Sequence, residues 1–174
     1  MNDKRPNRGW IWFFLVVIVM AVTAAAITWS ANIRQQLTPG QLEAAQKLWA
    51  DKGPADYDLW IEKRISSANS DAEQPPEIIE SKIRRGKVAS ATLDGRPLEP
   101  RLLADYDMPA WFGFVDDFLK RDLADGAPRT FRTAIFSPVT GALLHFTRRV
   151  SGTRERQEIT IRLTLPAPTP VEPS

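Results

Sequence analysis

The chain of 174 residues carries one histidine and no cysteine, which bounds the chemistry it can perform. His145 falls in an alternating stretch; with Leu144 and Phe146 turned inward it points outward beside Thr147 and Arg149. Nucleophilic catalysis needs a base within hydrogen-bond reach of a hydroxyl, and no G-x-S-x-G elbow is present. Zinc takes three or four His, Cys or carboxylate ligands, so only an all-carboxylate site stays open. Asp116 and Asp117 are the obvious carboxylate pair, but neighbours on a helix diverge by about 100° and share one ion poorly. Asp105, Asp107 and Asp116 could meet at a helix start, without EF-hand spacing. These groups read as solvated. No catalytic residue, metal site, cofactor or small-molecule substrate is assigned, and a hydrolase working through His145 and an acid is kept as the enzymatic alternative.

The densest chemistry is Arg148, Arg149, Arg154 and Arg156 around Ser151-Gly152-Thr153. Guanidinium presents a rigid fork of donors to phosphate and carboxylate. On a hairpin tip these four could meet an anionic lipid or an acidic partner; alternatively they pair with an acidic helix face and blunt a sheet edge. Both readings stay open. Residues 94–125 hold eight acids against four bases, and residues 129–165 hold seven arginines against two glutamates. With a net charge of only +2 and no aromatic between the arginines, nucleic acid is not expected as a partner.

The elements that must place these groups follow from periodicity. Thr38-Pro39-Gly40-Gln41 has the grammar of a capped helix start, and Leu42, Ala45, Leu48 and Trp49 recur at helical spacing. Gly53-Pro54 ends it, with Gly53 expected as a left-handed cap. Tyr57–Ile65 alternates as a strand, Ser66–Pro76 is a polar loop, and Ile79–Arg84 with Val88–Leu93 flank a turn at Arg85-Gly86-Lys87. Asp94-Gly95 marks the strand's exit. Pro109–Ala124 carries an apolar stripe (Trp111, Phe114 or Val115, Phe118, Leu119) opposite Asp116, Asp117, Lys120 and Arg121. Thr130–Phe136, Leu143–Val150 and Glu158–Leu165 form a final meander, with Ile159, Ile161, Leu163 and Leu165 inward. Strands joined by short turns are antiparallel. The predicted fold is therefore α+β: one antiparallel sheet of about five to six strands, covered on one face by two helices.

The order of these strings resembles an uncharacterised family of small secreted or lipoprotein-like bacterial α+β domains. Its marks are Leu48-Trp49 followed by Asp56-Tyr57, then Gly86–Ala91 with Asp94-Gly95-Arg96-Pro97-Leu98, Phe114–Phe118, and Phe136–Gly141. The likeness covers about residues 40–165, although the cysteine pair the family often carries near its first strand is absent here. It implies a topology similar to peptide-inhibitor-like and β-lactamase-inhibitor-like modules, and it implies no catalytic residue.

Ahead of that domain, Trp10–Trp29 is an unbroken run of twenty uncharged residues. Twenty helical residues rise about 30 Å, the thickness of a bilayer's hydrocarbon core. Lys4, Arg5 and Arg8 precede the run and set the N-terminus, residues 1–9, on the cytoplasmic side. Trp10, Trp12 and Trp29 stand where indoles anchor at the headgroups. The rival reading is a signal peptide cleaved near Ala24-Ala25-Ala26 and a secreted product. Either way a linker (30–37), an extracytoplasmic domain (38–165) and a proline-rich tail (166–174) follow. The expectation is a single-pass protein of the bacterial cytoplasmic membrane. Its outer domain binds or scaffolds an envelope protein without catalysis; an anion or lipid sensor using the arginine hairpin is the alternative.

Overall fold

In a computed structural model the described residues are 13–21, 23, 36–67 and 74–166. They fall in two units, divided between Gln36 and Leu37.

In the first unit, residues 13–21 are helical and apolar, with exposed side chains from Phe13 to Met20. The expected transmembrane helix over residues 10–29 is not seen as such. Among the described residues no helix is long and apolar enough to cross a membrane. The rest of the apolar run, including Trp10, Trp12 and Trp29, and the tail from residue 167 lie outside the described residues.

The second unit is the α+β domain, and its sheet has seven strands in the order β4-β3-β2-β1-β7-β6-β5, all neighbours antiparallel. They are β1 Tyr57–Ser66, β2 Glu77–Arg84, β3 Lys87–Leu93, β4 Arg96–Pro97, β5 Thr130–Phe136, β6 Leu143–Val150 and β7 Arg156–Thr164. The strand missed by pattern, β4, is two residues long. Asp94 and Gly95 both adopt positive φ (50° and 76°), so they make a hairpin turn rather than an exit. Arg85 and Gly86 (52° and 71°) do the same between β2 and β3. The other departure at this end is Leu165, expected inward. It lies past the end of β7 and is 67% exposed.

Two helices cover one face. α1 (Pro39–Lys52) has the full capping box: the Gln41 N–H donates to Thr38 Oγ1 at 3.3 Å and the Thr38 N–H to Gln41 Oε1 at 3.0 Å. Gly53 is not left-handed as expected but extended (φ −65°, ψ 137°). It is small because the Trp49 ring leaves no space: a Cβ there would lie 2.8 Å from the indole. α2 (Met108–Leu123) is capped by Asp107, whose side chain accepts from the Ala110 N–H at 2.8 Å. A 3-10 helix, Pro100–Tyr106, which the pattern did not show, leads into it.

The core lies between these helices and the sheet. Leu42 and Trp49 of α1 and Trp111, Phe112, Val115 and Leu119 of α2 meet Leu59, Ile61, Phe146 and Ile159 from the strands. Trp49 stands edge-on to Tyr57 with centroids 5.2 Å apart, a geometry worth about 0.5–1.5 kcal/mol beyond the area it buries. Arg34–Leu37 reads from sequence as a mere bridge, yet Leu37 is 2% exposed and its N–H donates to the Arg132 carbonyl of edge strand β5 at 2.9 Å.

Candidate functional site

The start of α2 is fixed on the sheet by polar bonds. Ser81 Oγ donates to the Tyr106 carbonyl at 2.8 Å, and the Met108 N–H donates to the Tyr57 hydroxyl at 3.2 Å. Burial pushes the Tyr57 phenol pKa up; the bond from Met108 opposes the shift and the Asp107 charge adds to it. With its first turn held, α2 runs beside β1, β2 and β3 and leaves a groove of about 450 Å³ along that flank. Its floor is Ile79, Leu93, Trp111 and Phe114, and Lys63, Glu77, Asp105 and Asp117 also line it.

The helix side of this groove is a stripe of Ala110, Gly113, Phe114 and Asp117, spaced at one helical face. A Cβ on Gly113 would meet nothing within 4 Å, so glycine here leaves the groove unfilled. Glycine in a helix interior costs about 0.5–1 kcal/mol against alanine. On the sheet side, Lys63 and Glu77 are cross-strand partners and their side chains meet at 2.8 Å. Trp111 is 5% exposed, and its indole nitrogen has no acceptor among the described residues.

Sequence pattern assigned Trp111 and Phe114 to a core stripe and missed the groove. Its residues come from β1, β2, β3, the 3-10 helix and α2, and no local signal joins them. The one clue was an unforced glycine in the middle of an amphipathic helix.

Among the described residues no helix covers the sheet's other face, which carries His145. Its Nδ1 lies 3.2 Å from Thr160 Oγ1, Thr147 Oγ1 lies 3.0 Å from its Nε2, and Glu158 Oε1 is 3.8 Å away. The ring is held between two threonine hydroxyls on a half-exposed surface. A shallow recess of about 240 Å³ nearby is lined by Glu62, Arg64, Glu158 and Thr160. Arg162 stacks over Trp60 at 4.6 Å on this face. No cluster of three or more metal-ligating side chains occurs among the described residues. Asp107 is engaged as the cap of α2, and Asp116 pairs with Lys120 at 2.5 Å.

The four arginines do not converge. Arg148 is 6% exposed on the helix-covered face, where it forks onto Asp122 (2.7–3.1 Å), reaches Glu155 at 2.5 Å and lies over the Phe118 ring at 5.0 Å. Asp122 foremost, helped by Glu155, holds its pKa above the ordinary arginine value against the cost of burial. Arg149 and Arg156 are register partners on the open face, and Arg156 binds Glu158 at 2.6 Å. Arg154 stands in the β6–β7 connection. For Arg148, pairing with the acidic helix is what the geometry shows.

No known protein family and no curated protein matches the chain.

Proposed function

We propose that this chain is a membrane-tethered, extracytoplasmic binding domain that engages an envelope protein and performs no chemistry of its own. The observation that carries the reading is the groove beside α2, apolar at its floor, charged at its rim and lined on the helix side by Gly113. Its volume of about 450 Å³ lies in the usual range of ligand sites. The uncharged run 10–29, basic residues on one side of it and the exposed apolar helix 13–21 support tethering in the cytoplasmic membrane with the N-terminus inside.

Proximity labelling from the full-length protein in its native envelope tests the reading. A reproducible protein neighbour should be recovered, and it should be lost from a Gly113→Leu variant that fills the groove. Recovery of no reproducible neighbour, or of the same neighbour by Gly113→Leu, overturns it.

A further inference from the structure

The groove's rim is chemically one-sided. Lys63, its only cation among the described residues, is paired with Glu77 at 2.8 Å. Asp105 and Asp117 are exposed and enter no ion pair among the described residues. Between them lies an apolar floor built on Ile79 and Phe114. Trp111 belongs to that floor and so reports on its occupancy, although its indole nitrogen is itself covered.

An anionic headgroup would meet two like charges at this rim, and a hydrocarbon tail would leave both carboxylates without a counter-charge. An extended peptide with basic side chains next to an aliphatic one answers both the unpaired carboxylates and the apolar floor.

We infer that the groove between α2 and β1–β3 takes a basic, extended segment of the partner protein, with an aliphatic side chain on the floor and Lys or Arg at Asp105 and Asp117. This rests on the groove being the binding surface proposed above. It commits that surface to a polypeptide of positive charge.

The test uses full-length protein in zwitterionic nanodiscs, labelled with nitrogen-15 at tryptophan, and follows the Trp111 indole resonance assigned with Trp111→Phe. The probes are acetyl-Lys-Leu-Lys-amide and its charge reversal, acetyl-Glu-Leu-Glu-amide, at millimolar concentrations. The basic peptide should shift the Trp111 indole saturably and the acidic one should not. Asp105→Asn with Asp117→Asn should weaken the basic peptide by about threefold to tenfold, the sum expected of two exposed ion pairs. Gly113→Leu should abolish the shift. Failure of the basic peptide to move Trp111, an equal shift by the acidic peptide, or undiminished binding by the double Asn variant each overturns the inference. If labelling still finds a partner that Gly113→Leu loses, only the charge assignment falls. If the peptide binds but no envelope neighbour exists, the proposed function falls instead.

Discussion

Asp122 and Arg148 show what one buried charge demands of its surroundings. Their side chains are 2% and 8% exposed; Asp122 relies on Arg148, and Arg148 is paired with both Asp122 and Glu155. Removing Arg148 leaves the Asp122 charge uncompensated, whereas removing Asp122 leaves Arg148 with Glu155. Arg148→Ala is expected to lower unfolding stability by about 3–5 kcal/mol, whereas the apolar pair Asp122→Leu with Arg148→Met should recover most of that loss. Denaturant midpoints of the two variants check it. Tyr57 supplies a second residue-scale test. Its phenol pKa is raised from 10.0 in the folded state, so below that pH it is neutral in both states and contributes no pH dependence. Above it the unfolded chain loses its proton first, and stability falls as pH climbs toward the folded value. Tyr57→Phe should flatten this alkaline decline, read as unfolding free energy against pH from neutral to strongly alkaline conditions.

At the scale of elements, two glycines with nearly the same backbone separate strain from contact. Gly141 (φ +76°) and Gly152 (φ +78°) both sit in the left-handed region, yet a Cβ on Gly152 would meet nothing within 4 Å. A Cβ on Gly141 would strike the Ala45 carbonyl and lie 2.8 Å from the Trp49 nitrogen, because the β5–β6 turn presses against α1. Gly152→Ala should cost about 1–2 kcal/mol, the penalty of the conformation alone. Gly141→Ala should cost clearly more, with thermal melts showing the difference. These elements also mark how much sequence could tell. Every strand with sustained alternation, and both helices with a 3.6-residue stripe and a cap, were readable. β4 has two residues and no period to detect, and the 3-10 helix buries no residue, so neither left a pattern. The groove was illegible for another reason: Lys63, Glu77 and Asp105 are ordinary surface types until strand pairing sets them beside α2. Arg148 was hidden inside a cluster that looked uniformly exposed, because alternation along β6 turns it inward and its neighbour Arg149 outward.

For the molecule as a whole, the tethering reading predicts a species that keeps residues 10–29 in the membrane fraction, resistant to alkaline extraction. Intact mass spectrometry showing loss of the residues up to Ala26 would replace the anchor with a secretion signal and leave the domain's fold unchanged. The placement of β1 and β7 side by side at the centre of the sheet has its own consequence. The first strand of the domain is completed only by the last. A chain growing at about 5–20 residues per second must hold one edge of Tyr57–Ser66 open for seconds while everything between is made. Nascent β1 can pair with β2 on one edge but keeps the other, on a half-apolar strand, open for that interval. The domain closes like a clasp, in one late event, when Arg156–Thr164 arrives.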